Sequence, residues 1–164
     1  VGFLIRSLDR SHDVKGFKCA NENLDDWLKN TARQHQEKNQ CSSTHVLADE
    51  QSPDVIIGYY ALAMRGLVQR EVLPKNMQKA LPLNVPAITL VRLAVSLKEQ
   101  KKGHGERLLL DAMTKAKTAS RLIGGSFLFV DAKDTESAIF YAHYGFVALP
   151  DDLLILCMPI VGIP

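Results

Sequence analysis

Val91-Arg92-Leu93-Ala94-Val95, then Gln100-Lys101-Lys102-Gly103-His104-Gly105, then Glu106-Arg107-Leu108-Leu109 is the stretch on which the fold turns. The run Ala87–Ser96 is almost continuously apolar, as expected of a strand buried on both faces. Beyond the loop, Leu108, Leu109, Ala112, Met113 and Ala116 recur at helical intervals and predict an amphipathic helix from Glu106 to Ser120. Glycines between strand and helix have a physical use. They reach positive φ and carry no Cβ, so successive backbone N–H groups can turn toward one point. The following helix adds its unpaired N-terminal donors and the positive end of its dipole. An anion such as a pyrophosphate is the natural occupant, with Lys101 and Lys102 adding charge. The alternative is a plain strand-to-helix turn with solvated lysines.

Outward from that core, Phe3–Leu8 reads as a first strand. A helix is predicted over Glu22–Lys38, where Leu24, Trp27, Leu28 and Ala32 form one stripe. Thr44–Ala48 and Val55–Met64 are expected as strands joined by a turn at Ser52-Pro53-Asp54. Arg65–Pro86 reads as irregular, with Pro74, Pro82 and Pro86 leaving at most a short helix near Lys75–Ala80. Ser126–Asp131, Thr135–His143 and Leu153–Ile160 complete the series as strand, helix and strand. The order implies a mixed α/β chain whose central sheet is flanked by helices.

With 164 residues, 46% apolar and 23% charged, one globular domain over 1–164 is expected. Cys19, Cys41 and Cys157 are odd in number and scattered, which argues against a disulfide framework or a metal site. No apolar run approaches the ~18 residues of a membrane span, and the N-terminus does not read as a secretory signal. A cytoplasmic protein is the expectation. The net charge of +2 identifies no partner.

A second motif lies in the late helix, Ala138-Ile139-Phe140-Tyr141-Ala142-His143-Tyr144-Gly145-Phe146, where Gly145 is expected to end the helix. Together the two motifs resemble those of the GNAT acetyltransferases: an apolar strand, (Arg/Gln)-x-x-Gly-x-(Gly/Ala) with its helix, and later A-x-x-F-Y-x-x-x-G-F. The resemblance implies the GNAT fold, with splayed strands that hold acetyl-CoA. Leu93, Ala94 and Val95 would face the pantetheine arm. Gln100, Lys101, Lys102, Gly103, His104, Gly105 and Glu106 would form the pyrophosphate loop and helix start. His104 departs from the usual apolar residue, and Glu106 should point outward, away from the phosphates. Tyr141 would be the general acid that protonates the departing thiolate, a phenol near pKa 10 serving a thiol near 8.5. The alternative for Tyr141 is a tyrosine held by packing.

The similarity extends to His12-Asp13-Val14, Leu24-Asp25-x-Trp27-Leu28, Gly58-Tyr59-Tyr60-Ala61-Leu62 and Leu90-x-Arg92-Leu93-Ala94-Val95. In that order these pieces resemble the GNAT toxins of type II toxin–antitoxin modules. The resemblance implies acetylation of the α-amino group of aminoacyl-tRNA and a block of translation. It also implies a ribbon-helix-helix antitoxin, operator DNA bound only through that antitoxin, and a homodimer. A GNAT enzyme acting on a protein N-terminus or a small amine is the alternative, as is a non-enzymatic binding module. An α-amine of pKa 7.7–8.0 is roughly a fifth to a third neutral at about pH 7.4, so it makes little demand for a general base. Glu99, Asp131 and His143 are conceivable bases, and nothing in the sequence singles one out. Lys29 and Arg33 on the first helix are candidates for the RNA backbone, against a solvated face with Asp25–Lys29 and Arg33–Glu37 pairs. Arg92 reaches the substrate side or snorkels at the sheet edge.

Overall fold

The computed structural model describes residues 2–164. Contacts divide the chain into two compact units, Val1–Ala63 with Arg92–Ala112, and Met64–Val91 with Met113–Pro164. Among the described residues seven strands make a mixed sheet, ordered β1-β2-β3 through the first unit and β4-β5-β7-β6 through the second. The strands are β1 Phe3–Ser7, β2 Ser43–Asp49, β3 Gly58–Gln69, β4 Asn84–Val95, β5 Phe127–Asp131, β6 Val147–Leu149 and β7 Asp152–Pro159. Four α-helices accompany them: α1 Glu22–Asn30, α2 Ala32–Glu37, α3 His104–Ile123 and α4 Thr135–His143. The expected mixed α/β class is the one observed.

In the first unit β1 and β2 pair antiparallel from Phe3 opposite Asp49 to Ser7 opposite His45. The β2–β3 pairing is also antiparallel, from Ser43 opposite Leu62 to Leu47 opposite Gly58. Leu28 of α1 and Ala32 of α2 bury against Leu8, Phe17, Val46, Tyr59 and Ala94, with Trp27 and Leu24 alongside. The single helix expected over Glu22–Lys38 is broken at Thr31, whose φ of −124° leaves the helical range. Its N–H still closes α1 on the Trp27 carbonyl. The side chain of Gln36 then ties α2 to two strand ends, donating to the Leu8 carbonyl at 2.7 Å and accepting from the Thr44 N–H at 2.7 Å.

Gly58 shows why its motif needs a glycine. A Cβ there would stand 2.8 Å from both the Ala94 carbonyl oxygen and Leu108 Cδ1. That is closer than side-chain carbon and backbone can approach, so the strand packs only without it.

In the second unit β4 and β5 run parallel, paired from Ala87–Phe127 to Leu90–Val130. Parallel neighbours need a long crossover, and the chain between these strands contains α3. β5 pairs antiparallel with β7, and β7 with β6. A core of Leu73, Val85, Ala87, Phe127, Phe129, Leu149 and Cys157 lies on one face.

Several boundaries differ from expectation. β3 continues through Arg65 to Gln69, because Gly66 takes a φ of +103° without ending the strand. The helix expected near Lys75–Ala80 is only a 3-10 turn over Lys75–Met77. Strand β6 has no signature in the sequence: three residues carry too little pattern, and pairing with β7 makes them a strand. Helix α3 starts two residues earlier than predicted, at His104.

Candidate active site

Strand β4 ends at Val95, and hydrogen bonds hold the chain that follows. The Ser96 N–H donates to the Ile57 carbonyl at 2.7 Å, and the Leu97 N–H to the Lys18 carbonyl at 2.8 Å. A 3-10 turn over Leu97–Glu99 leads to Gln100. Lys101 has φ +65° and Gly103 φ +85°, so two left-handed residues fall within three positions. The Gly103 carbonyl accepts from the Arg107 N–H at 3.2 Å and opens α3. Apart from its own chain neighbours, no described residue comes within 4 Å of a Cβ built on Gly103. Bare backbone beside the start of a 20-residue helix is the geometry that receives an oxyanion. The residues present therefore fit a diphosphate.

Individual side chains divide into those that face this loop's solvent side and those that build it. Lys101, Lys102 and Glu106 are exposed, as is Gly103, and Gly105 is half-buried in the first turn of α3. Glu106 thus reaches solvent, as expected of a carboxylate near phosphates. The Gln100 amide acts as a brace, donating to the Val95 carbonyl at 3.0 Å and to the Cys19 carbonyl at 3.2 Å. His104 is buried, with its ring edge-on to Phe3 at 5.0 Å. Burial and then the neighbouring Arg107 push its pKa down, which favours the neutral ring. Its Nε2 lies 3.7 Å from Glu99 Oε1, while Lys102 Nζ takes the other oxygen of Glu99 at 3.3 Å. Of the proposed pantetheine strand, Ala94 is buried and Leu93 and Val95 are half-buried.

In the second unit Asp134 caps α4, accepting from the Ser137 N–H at 2.8 Å. Gly145, at φ +99°, ends that helix as expected. Tyr141 is buried between Phe140 at 5.2 Å and Phe146 at 5.8 Å, both edge-on. Its hydroxyl makes no hydrogen bond to any described residue. Burial pushes its pKa well above the ordinary phenol value. The group therefore keeps its proton across the physiological range.

The first helical pair carries the candidate RNA contacts. Lys29 is exposed and Arg33 half-exposed. The intrahelical ion pairs envisaged for them do not form: Asp25 accepts from the Cys19 N–H at 3.0 Å, and Glu37 meets Arg10 at 3.7 Å. Arg92 lies over the Trp27 ring at 5.1 Å, so its side chain sits on the α1 face of β4.

No family model matches the sequence. A tRNA-acetylating toxin of Mycobacterium tuberculosis is 33% identical over 153 residues, which cover 93% of this chain and 89% of that protein. The chain belongs to this family of GNAT tRNA-acetylating toxins. A crystal structure of a Tyr-to-Phe variant of the toxin KacT superposes with a TM-score of 0.89 and 32% identity, covering 98% of this chain and 96% of that one. AtaT complexed with acetyl-methionyl-tRNAfMet gives 0.88 and 31%, covering 99% and 97%. AtaTR has also been crystallised with acetyl-CoA, at 0.82 and 32%, covering 98% and 95%.

One cluster in this toxin fold joins residues far apart in the sequence. Arg65 Nη1 donates to Asp131 Oδ2 at 3.1 Å and to Thr89 Oγ1 at 3.2 Å, while Nη2 donates to Asp131 Oδ1 at 3.0 Å. The guanidinium lies 4.6 Å over the Phe129 ring. An arginine inside an otherwise apolar strand was the available signal.

Proposed function

We propose that this chain is the toxin of a type II toxin–antitoxin pair and transfers acetyl from acetyl-CoA to the α-amino group of aminoacyl-tRNA, which blocks translation. The observation that carries the reading is the loop at the start of α3, with left-handed Lys101 and Gly103 and open space over the glycine. Backbone amides from Gln100 to Gly105 would hold the diphosphate, with Lys101 and Lys102 at its rim. Leu93, Ala94 and Val95 would face the pantetheine arm, and Glu106 stays in solvent. The amine attacks the thioester carbonyl, the C–N bond forms, and the C–S bond breaks. Tyr141 gives its hydroxyl proton to the departing sulfur, and the surplus proton of the attacking nitrogen, lost to solvent, is matched by the one that restores the phenol. Support for that role is a hydroxyl on a mostly buried ring that no described residue engages, and the Tyr-to-Phe variant solved for the related KacT. Support for acetyl-CoA and tRNA comes from the ligands seen with AtaT and AtaTR.

Lys29, Arg33 and Arg92 are assigned to the tRNA, the first two through its phosphates. No helix among the described residues is long and apolar enough to cross a membrane. We place the protein in the cytoplasm, where charged tRNA is, as a homodimer acting through one domain over 1–164. A ribbon-helix-helix antitoxin is its proposed partner. AtaT bound to the C-terminus of the antitoxin AtaR and a KacTA–DNA complex are known among its relatives, and operator DNA would be met only through the antitoxin. Radiolabelled acetyl-CoA with charged tRNA, a polyamine and an N-terminal peptide tests the reading. Label is expected in charged tRNA alone; label in the amine or peptide but in no tRNA overturns it.

A further inference from the structure

The Arg65–Asp131 cluster is built more firmly than a strap across a sheet requires. Exposed ion pairs add little to stability, yet this arginine has three anchors: both oxygens of Asp131, the Thr89 hydroxyl and the face of Phe129. Thr89 is fixed in turn, donating its hydroxyl hydrogen to the Phe129 carbonyl at 3.3 Å. The two charged partners differ in access. The Arg65 side chain is 22% exposed and that of Asp131 62%. The result is an anion held in one orientation by a mostly covered cation, with its outer face open. A bidentate pair uses about two of the roughly four acceptor sites of a carboxylate, which leaves sites toward solvent for a donor.

Its place in the second unit gives that donor a meaning. Asp131 is the last residue of β5, one position beyond the final parallel pair, Leu90 with Val130. Ligands of α/β sheets gather outside the carboxyl ends of parallel strands. The Ala132 N–H then donates to the Leu154 carbonyl at 2.7 Å, and Asp134 caps α4, the helix of Tyr141. An anionic ligand is disfavoured here because Arg65 is already neutralised, so the open carboxylate suits an N–H donor. Glu99, the other candidate carboxylate, is engaged by Lys102 and flanked by His104.

We infer that Asp131, fixed by Arg65, accepts a hydrogen bond from the α-amino group of the acceptor and orients it for attack. Asp131 touches the substrate, and Arg65 is a positioning residue. This inference rests on the proposed acetylation of aminoacyl-tRNA.

The test compares one tRNA charged with an amino acid the enzyme acetylates and the same tRNA carrying the matching deaminated acid, with hydrogen in place of the α-amine. Wild type is expected to bind the aminoacyl form about ten- to a hundredfold more tightly, the range of a hydrogen bond to a charged group. Asp131→Asn is expected to lose that preference and a similar factor in kcat/KM, with acetyl-CoA affinity unchanged within about twofold. A merely structural pair would lower the melting temperature and leave the preference intact, which overturns the inference. Should Asp131→Asn fail to fold, the double variant Arg65→Met with Asp131→Asn leaves no unpaired charge and gives the same readout. Preference retained there also overturns it. Wild type that acetylates no aminoacyl-tRNA instead defeats the proposed function itself.

Discussion

The loop before α3 and the α4 segment around Tyr141 would serve the proposed reaction with different parts of the chain. At the loop the proposed working groups are backbone amides, and side chains either brace it from behind, as Gln100 does, or stand exposed, as Lys101 and Lys102 do. At α4 the proposed working group is one phenol, and the backbone ends the helix that carries it. A site made of backbone survives changes of side chain and fails when φ is forbidden. A site made of one side-chain atom survives backbone neighbours and fails when that atom is removed.

Removing one oxygen should therefore have the largest effect. Tyr141→Phe is expected to fold, to bind acetyl-CoA as wild type does in calorimetry, and to lose about a hundredfold or more in kcat. Growth arrest on expression should disappear with it. Retained turnover would show that the phenol is a packing residue and dissolve the contrast.

In the loop the matching lesion is conformational. Gly103→Val places a β-branched residue at φ +85°, where an L side chain pays about 1–2 kcal/mol. Acetyl-CoA affinity is expected to fall about tenfold, although open space surrounds the new Cβ. Unchanged affinity would mean that the backbone of this turn does not hold the diphosphate.

His104 sharpens the same comparison through pH. Burial lowers its folded pKa below the unfolded value of about 6.5. The unfolded chain then binds the proton more readily, so stability from this site is complete above about pH 6.5 and declines as pH falls below it. His104→Leu should flatten that acid-side decline in melting temperatures between about pH 7 and pH 5. A slope identical to wild type would place the titration elsewhere.

The smallest effects are expected on the helices. Lys29→Ala and Arg33→Ala should each lower the salt slope of tRNA binding by about one and leave acetyl-CoA affinity alone. Filter binding across potassium chloride concentrations measures it. A slope equal to wild type in both variants would remove these residues from the RNA face.

How much could be read from residues alone depended on how local each interaction is. The strand β4, the glycine loop and α3 lie in one short run, so apolar periodicity and glycine positions announce them together. The family motifs around Tyr141 are equally compact. The break at Thr31 left no such mark, because the stripe Leu24, Trp27, Leu28 and Ala32 continues across it. Proline and glycine punctuate the segment that begins at Arg65 and make it read as irregular, yet the strand persists to Gln69.

The residue order by itself determined the mixed α/β class, the turn before α3 and the helix end at Gly145, since each follows from propensity within a few residues. Only the tertiary structure decided that Gln100 braces Val95 and Cys19, that His104 turns inward onto Phe3, and that Arg65 meets Asp131 across 66 positions. Those contacts depend on which strands become neighbours and on which side chains lose water when they do, and no local pattern encodes either.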